Sequence, residues 1–278
     1  MILEQKIERI SHNVINVLYS RFVNFPQGAE GNRNAPFHTA FLNAFADKLA
    51  GKVSDIPYFI TMSSWLHGLS TTLGATFFEK TAHILSDGEK REYTAGKLGV
   101  LKILDTQSLE VANIISELYN GTYSPDTGRE EERLFAVEEG REIEATGFSA
   151  DVYYETVDEI VAIELKSVKP NSGEMRGEKK KILEGKVALK RLHPDKRVKF
   201  YVGFPFDPTG EGVEYDKERF CDTVINLRKS FALNEILLAG ELWDMLSGEP
   251  GTMQVILDII NHIATPDFKQ KYDYIVVP

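Results

Sequence analysis

This sequence predicts a mixed α/β (α+β) fold, with a mixed central sheet flanked by helices and further helices at both chain ends. Three observations lead there. Residues 148–155 and 160–168 are short runs of strand-forming residues that a hairpin would join. A helix over about 174–192 then leads to a strongly apolar strand over 198–206. The order strand, strand, helix, strand indicates a mixed sheet with helices against it. Helical spacing dominates the rest of the chain.

The elements follow in order. Over 3–25, Ile7, Ile10, Val14, Val17, Leu18 and Phe22 recur at helical spacing, and Pro26 ends the run. A Gly- and Asn-rich loop over 27–36 carries Arg33, a surface-loop residue or a DNA contact, before a short helix over 38–49. Leu73, Phe77 and Ile84 mark a helix over 70–85, with Glu79 on its second, smaller-residue face. A helix over 109–119 stops at Gly121, as a glycine C-cap predicts. The acidic stretch 123–147, with Pro125, Gly128 and Gly140, suggests a loop and a short helix or strand. Beyond 206, residues 217–264 read as three helices broken near Leu233 and at 248–251. The expectation is a single domain over 1–278, with a core at 70–206 and helical elaborations at 1–69 and 207–278.

Composition narrows the function. The 278 residues are 42% apolar, enough for a sizeable core, yet no apolar run approaches the roughly 18 residues needed to cross a bilayer. Charges interrupt the N-terminal apolar residues, which excludes a signal peptide and predicts a cytoplasmic protein without a membrane partner. One cysteine, Cys221, forms no internal disulfide, and the six histidines lack zinc-site spacing. A net charge of −10 argues at first against nucleic acid. Residues 165–199, however, hold twelve basic residues against four acidic ones, a surplus of eight. That surplus is either a solvated helix face or a surface for phosphates, with Lys179, Lys186 and Lys190 as candidate DNA-backbone contacts.

The chemistry concentrates on the two strands. If they pair around residues 156–159, opposed residue numbers sum to 315 and Asp151 lies opposite Glu164. Directly opposed side chains share a face, and Lys166, two residues on, shares it too. The other face takes Val152, Tyr154, Val161, Ile163 and Leu165, so one face is expected to be apolar and one to carry charges. Two adjacent carboxylates repel and would tend to raise one pKa, a conflict that a divalent cation removes. Oxygen-only ligands suit magnesium, which can polarise a phosphate and acidify a bound water. Lys166 can hold or help deprotonate that water and neutralise developing charge.

The stretch Ser149-Ala150-Asp151-Val152-Tyr153-Tyr154, followed by Ile163-Glu164-Leu165-Lys166-Ser167-Val168-Lys169-Pro170-Asn171, resembles the catalytic hairpin of the PD-(D/E)xK nucleases. Its Lys-Ser-x-Lys-Pro-Asn continuation resembles in particular the TdeIII-like type II restriction endonucleases. The resemblance implies a restriction-endonuclease-like core, magnesium-dependent cleavage of double-stranded DNA at a short specific site, and a homodimer. It assigns metal binding to Asp151 and Glu164 and the catalytic lysine to Lys166, with Glu79 as a further carboxylate. Ala150 replaces the proline of the usual Pro-Asp pair, and the close match covers only 149–171. Lys169 and Asn171 could position a phosphate or simply form a turn. A repair or junction-resolving nuclease of the same fold, or a non-catalytic DNA-binding protein, remains an alternative at this point.

Overall fold

The computed structural model describes residues 2–28, 36–88, 96, 98–145, 148–166, 168 and 172–275. Helix α1 (Glu4–Phe22) follows the predicted periodicity and buries Ile10, Val14 and Val17. Helices α2 (Pro36–Asn43) and α3 (Ala46–Leu49) divide the predicted 38–49 helix. Helix α4 (Ile56–Thr72) begins well before 70, because the Asp55 carboxylate accepts the Tyr58 N–H and Pro57 occupies the first turn. No residue of α4 is fully buried, so it lacks the apolar stripe that periodicity detects. It continues through a π-helical turn, Leu73–Phe78, into α5 (Glu79–Ser86).

Next come β1 (Lys102–Leu104), α6 (Asp105–Asn120), α7 (Thr127–Phe135) and β2 (Glu142–Glu144). Gly121 ends α6 at φ 73, the left-handed conformation that glycine tolerates. Strands β1 and β2 form a small antiparallel pair, with Ile103 opposite Ile143. The acidic stretch thus supplies both a helix and a strand.

The main sheet has the order β3-β4-β5-β6, with β3 (Val152–Glu155), β4 (Glu159–Leu165), β5 (Arg197–Phe204) and β6 (Ile236–Leu238). Strands β3 and β4 are antiparallel, whereas β4–β5 and β5–β6 are parallel. Helix α8 (Ser172–Leu192) connects β4 to β5. Strand β6 lies in a region expected to be helical, since three consecutive apolar residues show no period. It pairs with Val202–Phe204, so the sheet continues past the expected core limit at 206.

Helices α9 (Lys217–Thr223), α10 (Leu227–Ser230), α11 (Gly240–Ser247), α12 (Thr252–Ile263) and α13 (Phe268–Tyr272) complete the chain. Two compact units result, one of residues 1–10 and 78–258 and one of residues 11–77 and 259–278. The first contains the whole sheet. In the second, Tyr19 and Phe22 pack edge-on against Phe268, with ring centroids 5.5 and 5.6 Å apart. Among the described residues no helix is long and apolar enough to cross a membrane.

Helices cover both faces of the sheet. A β-carbon on Gly185 of α8 would meet Phe148 at 2.8 Å and Phe200 at 3.0 Å, so this glycine lets α8 lie close against one face. On the other face Leu242 of α11 approaches Gly203. Strand β4 is therefore buried on both sides, with Ile160, Val161, Ala162 and Ile163 inaccessible to solvent. The expected division into one apolar and one charged face holds only at the end of the hairpin, where Asp151 and Glu164 lie. Along the rest of that face, Tyr153, Ile160 and Ala162 are core.

Candidate active site

The hairpin has the predicted register: Val152 opposes Ile163, Tyr154 opposes Val161 and Glu155 opposes Ile160. A turn from the Thr156 N–H to the Glu159 carbonyl fixes it. One further step brings Asp151 beside Glu164. The Leu165 N–H donates to Asp151 Oδ2 at 2.7 Å, which holds the carboxylate against the end of β4. Asp151 and Glu164 are both buried, with 2% and 1% of their surface exposed, a costly placement for carboxylates without compensation.

For Glu164, compensation comes from two lysines. Lys166 Nζ donates to Glu164 Oε1 at 2.9 Å, and Lys181 Nζ lies 2.8 Å from Glu164 Oε2. Both ammonium groups also hold Glu178, Lys166 at 2.8 Å and Lys181 at 2.9 Å. Four side chains thus alternate in sign around a closed square. Burial pushes the Glu164 carboxyl up, but Lys181 and Lys166 outweigh it and hold the pKa below its ordinary value. Burial likewise opposes the Lys166 charge, yet Glu164 and Glu178 raise its pKa. The expectation that carboxylate repulsion would raise a pKa is corrected for Glu164, because ammonium groups already supply the missing positive charge.

Glu178 and Lys181 escaped the sequence reading. Their signal was present: with Gly185 they stand at positions i, i+3 and i+7 of α8, one helical face. The close approach that Gly185 permits places that face over Glu164. Glu79, half-buried, opens α5 one turn before His83. His83 Nε2 lies 2.5 Å from the Asp151 carbonyl oxygen, and since a carbonyl only accepts, Nε2 carries the proton. Glu79 therefore belongs to the helix that braces Asp151.

Other expectations fare differently. Lys179 is fully buried, with Nζ 2.6 Å from Glu130 Oε2 and 2.7 Å from Glu235 Oε2. Lys186 is 2% exposed and pairs with Glu131 at 3.1 Å and Glu235 at 3.3 Å. Neither ammonium is presented to a DNA backbone, so the expected phosphate contacts are corrected to an internal ionic network. Lys190 donates to the carbonyls of Pro194 and Lys196. Lys169, Asn171 and Arg33 lie outside the described residues. A cavity of about 470 Å³, lined among others by Lys186, Arg197, Lys199 and Tyr201, flanks the first half of β5, away from Val202, the strand partner of Glu164. It contains none of the candidate catalytic residues.

Comparison with known proteins gives two matches. The family model of the type II restriction endonuclease HinfI matches residues 1–264. The type II restriction enzyme MjaII of Methanocaldococcus jannaschii is 46% identical over 276 residues, covering 97% of this chain and 73% of the relative.

Proposed function

Because the chain belongs to the HinfI family of type II restriction endonucleases and cleaves DNA at specific sites, we propose that Asp151, Glu164 and Lys166 are its cleavage centre, with magnesium as cofactor. The observation that carries this reading is the buried, register-matched pair of carboxylates with a lysine two residues beyond the second.

The donor set suits the ion. Asp151 and Glu164 offer only hard oxygen atoms, the ligand type that magnesium prefers. Among the described residues no group of three or more acidic, histidine or cysteine side chains forms a metal cluster. Magnesium does not need one, since one or two carboxylates with waters and phosphate oxygens complete its shell. Asp151 and Glu164 would hold it, and Glu79 is the candidate for a further carboxylate. When bound, the ion would polarise a phosphate oxygen and make a coordinated water more acidic.

The protein's own groups do the rest. The Leu165 N–H keeps Asp151 turned toward the end of β4. Glu164 remains ionised beside its two lysines. Lys166, with Nζ 2.9 Å from Glu164 Oε1, stands where it can hold the attacking water and stabilise charge that develops on the phosphate. Lys169 and Asn171, next in the chain, extend this reading to contacts with the DNA backbone. With this centre in each chain, a homodimer on duplex DNA, acting in the cytoplasm, would place one centre at each strand.

Asp151→Asn and Glu164→Gln keep side-chain shape while removing a negative charge, so cleavage should fall about 100-fold or more while DNA binding survives. Lys166→Ala should abolish cleavage and retain metal binding. Plasmid digestion, calorimetry with magnesium and melting temperatures on the three variants test this. Wild-type cutting by folded Asp151→Asn would sink the assignment.

A further inference from the structure

The two ammonium groups on Glu164 are not equivalent. Lys166 stands two residues on, just past the end of β4, where its N–H donates to the Gly203 carbonyl at 2.9 Å and keeps it beside the carboxylate. Lys181 reaches in from α8; it shares Glu178 with Lys166, but for Lys181 that carboxylate lies one turn earlier on its own helix. Its stem is flexible, and its side chain is 14% exposed, so the charge can move without entering the core. Both Glu164 oxygens are covered by ammonium groups in the free protein. A divalent cation approaching Glu164 would meet two like charges with little water between them. One of the three cations has to leave.

We infer that Lys181 is an exchangeable counter-ion. It holds Glu164 Oε2 until a divalent cation takes that oxygen, and then retires to Glu178, which it already touches. The inference rests on the reading of Glu164 as a metal ligand. Glu178 is a positioning residue here, acting on the site through Lys181, and the pair makes metal binding an exchange of one positive charge for another. Such an exchange keeps the buried carboxylate compensated before the cation arrives.

Manganese binding to the DNA-free, full-length protein tests this, followed by the electron paramagnetic resonance of free manganese alongside a melting curve. Lys181→Met removes the competing ammonium, so manganese affinity should rise about fivefold or more. Glu178→Gln removes the seat to which Lys181 would retire, and the carboxylate it shares with Lys166, so both ammonium groups hold Glu164 more strongly and affinity should fall by a similar factor. Opposite signs separate exchange from general loosening of the site. If Lys181→Met fails to fold, Lys181→Gln carries the same expectation. Unchanged or weaker binding in the Lys181 variant, or tighter binding in Glu178→Gln, overturns the inference, and so does undetectable binding in all of them. Glu164→Gln serves as the control: manganese binding that persists unchanged in it would instead overturn the assignment of Glu164 as a ligand.

Discussion

Glu164 has almost no contact with water and two ammonium partners, and its acid–base behaviour follows from both facts. Its carboxyl is held below the ordinary value of 4.5, despite burial, by Lys181 and Lys166. A carboxyl depressed in the folded state contributes stability above its unfolded pKa and loses it as pH falls through the folded pKa. Lys166, raised above 10.5, contributes below that value and loses its contribution as pH rises through the folded pKa. Both are thus charged throughout the neutral range. Lys166→Met removes one of the two cations, so the Glu164 pKa should rise and its acid-side loss of stability should shrink. Between about pH 6 and pH 3 the melting temperature of the variant should fall less steeply than that of the wild type. Parallel curves would show that Lys166 has no part in depressing Glu164. The register that brings Asp151 beside Glu164, with Lys166 two residues on, was legible in the sequence because a hairpin register depends on a few neighbouring residues. Glu178 and Lys181 were not, since their role depends on how closely α8 lies on the sheet, which Gly185 decides.

At the scale of the element, α8 carries two charged stripes with different roles. Glu178 and Lys181 reach the site, whereas Lys179 and Lys186, seven residues apart, enter the network with Glu130, Glu131 and Glu235. That network joins α8 to α7 and to the single turn Leu233–Glu235 ahead of β6. Density of lysines along a helix is visible in sequence, but their partners are not: Glu130 and Glu235 stand 49 and 56 residues from Lys179. The same distance problem hid β6, which becomes a strand only because Val202–Phe204 offers it an edge. Removing one member of a buried ionic group leaves the others uncompensated, and Lys179→Met should cost about 3–5 kcal/mol of stability. A paired Lys179→Met, Glu130→Gln variant should recover part of that loss, because the charges then balance more nearly. Urea unfolding of the single and double variants measures both. A single-variant loss under about 1 kcal/mol would place Lys179 among solvated surface charges instead.

The whole chain carries a net charge of −10 and acts on a polyanion. The basic surplus over 165–199 relieves this only in part, because several of its described cations are buried or paired with carboxylates. Arg191 holds Glu142 at 3.1 Å, Lys196 holds Glu155 at 2.7 Å, and Arg197 and Lys199 both hold Glu159 at 2.8 Å. Counting charges along the sequence therefore overstated the positive surface. A cation at the proposed site, Asp151 and Glu164, would offset part of the repulsion between this acidic protein and DNA. Duplex DNA has two antiparallel strands related by two-fold symmetry, and in the proposed homodimer two centres related in the same way would each face one strand. Calcium takes the same oxygen ligands as magnesium at longer distances and is the suitable ion for assembling the complex. Light scattering with a duplex containing the cleavage site should then show two chains per duplex in calcium, with weaker association when the ion is chelated. One chain per duplex at saturation, from a preparation that cuts both strands when magnesium replaces calcium, would overturn the dimer.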